Sequence, residues 1–393
     1  MELDIQTAAL LLLIAAVVAM VTRRFHLPYS VGLVAAGFVT AILPLAPKIS
    51  LTKDLIFTVL LPPLLFEAAL YIHWEQLRRD FSVIVVLATV GVLLSAAATA
   101  GGMHYLAHWQ WLGALVFGVL IAATDPVSVI ATFKEAKAHG RLLILIEAES
   151  LLNDGTAAVA FGVVIALASG QKLTSLEIAA VLLKTIGGGI VCGAAIALGA
   201  LLLAGRTDDH LVEITFTTIA AYGSFLLADH LGLSGVLATI TAGLIMGNFK
   251  SFGTISDRGK EAVQAFWEYA AFAANSLVFL LIGMREAHQN FVAVWLPAAI
   301  AIALVTLGRA IAIYPCCFLF SRSSLRVARK HQHVLFWGGL RGALALALAL
   351  GLPPEVPQRE EIVTISFAVV AFSVFVQGLT MAPFLRRMGE ISH

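Results

Sequence analysis

Eight acidic residues lie inside long apolar runs: Asp54, Glu67, Asp125, Glu147, Glu149, Asp154, Asp229 and Glu268, with Asp54 and Asp229 near the ends of theirs. The densest group is in LLILIEAESLLNDGTAAVAFGVV. At 100° per residue, Glu149, Asn153, Ser150 and Asp154 share a sector of about 140°, with Ser150 and Asp154 stacked at i, i+4. Glu147 falls beside Asp154 in angle, about two helical turns away. Carboxylate, hydroxyl and amide oxygens on one face suit a hard monovalent cation or a proton. A buried carboxylate cannot stay ionised without a partner, so it holds one or the other. Polar residues can also glue helices together, a reading that suits a lone Asn or Ser better than paired carboxylates.

Two further runs carry breaks. In VLIAATDPVSVIATF, Pro126 lacks an N–H and disfavours helix at Asp125, so the helix should open there. Thr124 then offers hydroxyl and carbonyl oxygens to a cation, and Asp125 offsets the positive helix end behind it. A simple kink is the competing reading. In WGGLRGALALALAL, Gly338, Gly339 and Gly342 weaken the helix around Arg341. Ionisable groups at such depth face a partner or a water-filled cavity. Arg309 is equally deep, and Glu268 is a candidate partner for it. Lys184, near a run end, can snorkel.

These residues need a membrane frame. Of 393 residues, 60% are hydrophobic and 12% charged, too few charges to cover a water-facing surface. The fold class expected is an all-α polytopic membrane protein with about 13 spans: 5–22, 28–45, 51–71, 80–102, 112–133, 144–168, 177–204, 211–229, 233–248, 262–284, 291–320, 333–351 and 361–384. Loops after odd-numbered spans, with the C-tail, hold 17 Lys and Arg, against 5 in the even-numbered loops. This asymmetry places the N-terminus outside and the C-terminus in the cytoplasm. The interrupted spans, five and twelve, stand seven apart. Two six-span halves, about 1–170 and 208–388 with a linker helix at 177–204, would therefore run antiparallel, as inverted repeats crossing at the midplane. The remaining length leaves no room for a soluble domain, and the first apolar run reads as a span, not a secretory signal.

Other signals carry less. A net charge of +1 argues against nucleic acid. Cys192, Cys316 and Cys317 form neither a disulfide framework nor a CxxC site and read as filler. His139, His331 and His333 are loop histidines that titrate without necessarily sensing pH. Arg322, Arg326, Arg329 and Lys330 form a basic loop suited to topology control or membrane lipid. A channel would need a continuous filter, and HExxH and GxSxG are both absent, so hydrolase chemistry has no residues to carry it.

Together, ATDPVSV, EAESLLNDGTA, LLPPLLFEAAL, NSLVFLLIG and WGGLRGALALAL resemble, in order and separation, the NhaP-type sodium/proton antiporters of the monovalent cation–proton antiporter superfamily. The resemblance spans nearly the whole chain. It implies a secondary transporter, not an enzyme, without cofactor, acting as a homodimer in the cell (plasma) membrane. Asp154 would be the carboxylate on which Na⁺ and H⁺ alternate. Ser150, Thr124 and Glu67 would add oxygens or charge, Asp125 would compensate the broken helices, and Glu149 would pair with Arg341. Asn153 implies electroneutral exchange, where electrogenic relatives carry a second Asp. Long regulatory C-terminal tails of some relatives are not present in these residues. K⁺ or Li⁺ in place of Na⁺ and a Na⁺-coupled organic-solute symporter are the alternatives carried forward.

Overall fold

The computed structural model describes residues 5–25, 27–42, 51–125, 130, 133, 140–171, 174–207, 209–248 and 257–391. Pro126, His139 and the loop residues Lys48, Lys134, Lys137, Lys172 and Lys250 lie outside them. Every described element is helical, with no strand among the described residues. In chain order these are α1 (Ile5–Phe25), α2 (Tyr29–Ile42), α3 (Leu55–Tyr71), α4 (Trp74–Leu106), α5 (Trp111–Leu120), α6 (Arg141–Ala168) and α7 (Ser175–Ala204). There follow α8 (His210–His230), α9 (Gly235–Asn248), α10 (Asp257–Glu286), α11 (Trp295–Leu319), α12 (Arg329–Trp337), α13 (Ala343–Leu350) and α14 (Arg359–Met388).

Eight of the described helices are long and apolar enough to cross a membrane: α1, α4, α6, α7, α8, α10, α11 and α14. In a bilayer a helix must satisfy its own backbone, and an apolar surface costs nothing against lipid tails. That is why Leu13, Met20, Leu183, Val191 and Leu202 stand exposed on α1 and α7. Association then depends on close packing. The seam between α2 and α10 shows it: a Cβ on Gly37 would strike the Leu280 carbonyl, and one on Gly283 the Val34 carbonyl. Backbone lies directly on backbone there. Gly243 and Gly247 bring α9 equally close to Phe66 and Leu70 of α3.

Four helices contain a π-helical stretch, at Leu55–Leu60, Leu87–Gly91, Ile219–Gly223 and Ser373–Gly378. The apolar periodicity of the sequence carries no sign of these wider turns. One end of the bundle is fastened by Arg141 at the start of α6. Its guanidinium meets Asp80 of α4 at 2.7 Å and donates to the carbonyls of Leu325 and Arg326 at 2.7 and 2.8 Å.

Candidate functional site

Both expected interruptions are present. The chain leaves helix after Leu120 and is non-helical through Asp125, while Ile130 and Phe133 are helical again. The opening begins ahead of the residue preceding the proline, because other groups take the freed carbonyls. Arg341 Nη1 donates to Ala122 O at 2.6 Å and Ala123 O at 3.0 Å. A cation at the carbonyl end of α5 complements that helix dipole. The second interruption, 338–342, separates α12 from α13. The two breaks touch: the Asp125 N–H donates to Leu340 O at 2.8 Å.

Glycine is required at this crossing. A Cβ on Gly342, which precedes the first turn of α13, would overlap the Asp125 carboxylate. Asp125 therefore lies against the amino end of α13, where a negative charge offsets the positive helix end. A Cβ on Gly339 would overlap the Arg309 side chain.

Helix α6 runs unbroken past the crossing and presents the predicted polar sector to it. Asn153 Oδ1 accepts from the Thr124 N–H at 3.1 Å, and Asn153 Nδ2 donates to Thr124 Oγ1 at 2.6 Å and to Glu149 Oε1 at 3.0 Å. The hydroxyls of Thr124 and Ser150 are hydrogen-bonded at 3.0 Å. Asp154 accepts no hydrogen bond from any described residue and faces open space.

That space is a cavity of about 1110 Å³. Asp154, Ser150, Thr124, Asp125 and Glu67 all stand on its wall, as do Glu147 and Glu268. Asn153 does not. Of the six residues expected around the ion, five share the cavity, and Asn153 sits behind them, joined to the break.

The pairing of Glu149 with Arg341 is corrected by the geometry. Glu149, 1% exposed, is forked by Arg309, Nη1 to Oε1 and Nη2 to Oε2, both at 2.8 Å. Arg309 also donates to Leu335 O, at 3.1 Å from Nη2. Its side chain comes from α11 through the gap left by Gly339, so it reaches the carboxylate from a direction Arg341 does not use. The suggested partnership of Glu268 with Arg309 falls with it: Glu268 is on the cavity wall. The sequence carries one trace of this arrangement, Gly339, whose lack of a Cβ leaves room for the Arg309 side chain.

Two helix breaks in contact, beside a carboxylate-walled cavity in an all-helical apolar bundle, fit a multi-pass membrane transporter. The comparisons give the family. A family model described as "Sodium/hydrogen exchanger, transmembrane" matches residues 10–387. The Na⁺/H⁺ antiporter ApNhaP of Aphanothece halophytica is 38% identical over 368 residues, 93% of this chain and 70% of that protein. The Na⁺/H⁺ antiporter NhaH of Halobacillus aidingensis is 30% identical over 397 residues, 97% of this chain and 96% of that one. The sodium proton antiporter MjNhaP1 from Methanocaldococcus jannaschii superposes with a TM-score of 0.79 at 20% identity, over 100% of both chains, a likeness of fold. The chain belongs to the sodium/hydrogen exchanger family of secondary transporters.

Proposed function

We propose that the chain exchanges Na⁺ for H⁺ across a membrane by alternating access, with the two ions competing for Asp154. The observation that carries this reading is the Asp154 carboxylate itself: it faces the cavity, beside the crossing, without a hydrogen-bond donor among the described residues. Such a group is stable when it holds a proton or a cation and costly when it holds neither. Ser150, Thr124 and Glu67 on the same wall supply the oxygens a dehydrated Na⁺ requires. Asp125 and Arg341 compensate the broken helix ends. One cation for one proton at a single carboxylate moves no net charge, so exchange is electroneutral.

The rest of the reading follows the membrane frame. Thirteen spans, with inverted halves near 1–170 and 208–388 and a linker helix at 177–204, put the C-terminus in the cytoplasm of a cell whose plasma membrane holds the protein. Arg23, Arg79 and Arg141, near helix ends on the basic side, stand at the cavity wall, so on this reading the cavity opens to the cytoplasm. The lipid-like flanks of α1 and α7 leave surface for a second copy, and the protein acts as a homodimer. The test is purified protein in liposomes with an internal pH dye, challenged with Na⁺, Li⁺ and K⁺ in turn, with and without a clamped potential. A Na⁺-driven pH change that is independent of potential and lost in Asp154→Asn supports the proposal; a response that survives Asp154→Asn overturns it.

A further inference from the structure

We infer that one water molecule sits behind the crossing and ties Arg341 to Gln377, making Gln377 a positioning residue for the interrupted helices. Arg341 is 2% exposed, and its Nε and Nη2 have no hydrogen-bond partner among the described residues. Its Nη1 alone holds the carbonyls of Ala122 and Ala123. Two buried charged donors without acceptors are costly unless something occupies the space beside them.

Such a space is present. A second, small cavity of about 10 Å³ lies on Arg341, lined also by Arg309, Gly339, Thr306, Ser373 and Gln377. That volume admits roughly one water, and a buried water needs two to four polar partners. Arg309 is already committed to Glu149 and Leu335 O. Arg341 therefore supplies the donors. The acceptors come from α14: Ser373 Oγ donates to Gln377 Oε1 at 2.8 Å, which fixes the amide and leaves that oxygen a second lone pair. Water accepting from Arg341 Nε and Nη2 and donating one O–H to Gln377 Oε1 gives both orphaned donors an acceptor. Gln377 is 6% exposed and has no other described partner across the cavity.

The helix is built to bring it there. Ser373–Gly378 is one of the π-helical stretches, whose wider turn redirects side chains and is common where a helix serves a site. Gln377 thus acts through water on Arg341, and through Arg341 on the opening of α5 at Ala122 and Ala123.

The functional half of this inference rests on the exchange reading; the structural half does not. An experimental map of the wild-type protein at a resolution that shows ordered water is the first readout. Density within hydrogen-bond distance of both Arg341 and the Gln377 amide supports the inference, and a dry pocket overturns it whether or not the protein exchanges ions. The second readout compares Gln377→Leu with Gln377→Asn in liposomes, each checked for an unchanged melting profile in detergent. Leu removes the acceptor and should lower maximal exchange 3- to 10-fold and raise the apparent KM for Na⁺. Asn, with room for a second water, should keep at least half of wild-type exchange. A Leu variant with wild-type exchange, or an Asn variant as impaired as Leu, overturns the positioning role.

Discussion

Asn153 holds Thr124 by two hydrogen bonds at once, backbone N–H to Oδ1 at 3.1 Å and Nδ2 to Oγ1 at 2.6 Å. Its remaining N–H goes to Glu149. The amide has no donor left for anything else, and it lies outside the cavity where Asp154 faces. If Asp154 carries the ion, as proposed, Asn153 serves to fix the non-helical segment after α5 at Thr124.

Asn153→Asp should therefore fail for two reasons. A carboxylate has no N–H to give Glu149 or Thr124, and it adds a negative charge next to Glu149. Exchange should fall at least tenfold, with a stability loss of roughly 1–3 kcal/mol for buried groups left without donors. Vesicle exchange and detergent melting measure both. If Asn153→Asp instead stays active and moves extra charge, this side chain belongs on the ion.

Breaking the Glu149–Arg309 pair should be the most destabilising change near the site. Removing one member leaves a buried charge unanswered, about 3–5 kcal/mol. Arg309→Met and Glu149→Gln should each lower the melting temperature sharply, while the double variant recovers part of the loss. Arg341→Met paired with Glu149→Gln should show a much smaller recovery, because Arg341 makes no hydrogen bond to Glu149 and acts on it only through space. Double-mutant cycles in detergent separate the two outcomes.

Gly342→Ala should disable the crossing, since its Cβ would stand on the Asp125 carboxylate. Overpacking of this kind costs about 1–3 kcal/mol and displaces backbone. Exchange should drop more than tenfold. Gly101→Ala is the control, because nothing lies within 4 Å of the added atom; it should express and transport as the wild type does.

Competition at one carboxylate fixes the pH dependence of Na⁺ affinity. On the acid side, each unit fall in pH should raise the apparent KM for Na⁺ about tenfold while the maximal rate at saturating Na⁺ holds, the linkage expected when proton and cation exclude each other. Initial rates of dye response across Na⁺ and pH give the slope. A KM that ignores pH would mean separate sites for the two ions.

Much of the site could be read before any coordinates. Local chemistry writes itself into local sequence: Pro126 after Asp125, glycines around Arg341, and a polar sector on an otherwise apolar helix. The presence of both interruptions follows from these residues alone. What could not be read was which arginine reaches Glu149. Arg309 is 160 positions away, and its approach depends on the depth at which α11 lies and on the passage left by Gly339. The π-helical stretches were hidden for a related reason. A π-helical turn closes its hydrogen bonds one residue later than an α-helical one, and apolar composition is indifferent to that difference. Asn153 belonged to the right face, but periodicity could not say that the break would swing in and cover it.

The hydrogen bond from Asp125 to Leu340 and the grip of Arg341 on Ala122 and Ala123 act together as a splice. Each half of the crossing is anchored on the backbone of the other, so neither can be drawn aside alone to let an ion pass. On the proposed exchange reading, the two breaks shift together or not at all, since displacing either one alone would cost the bonds that Asp125 and Arg341 make across them.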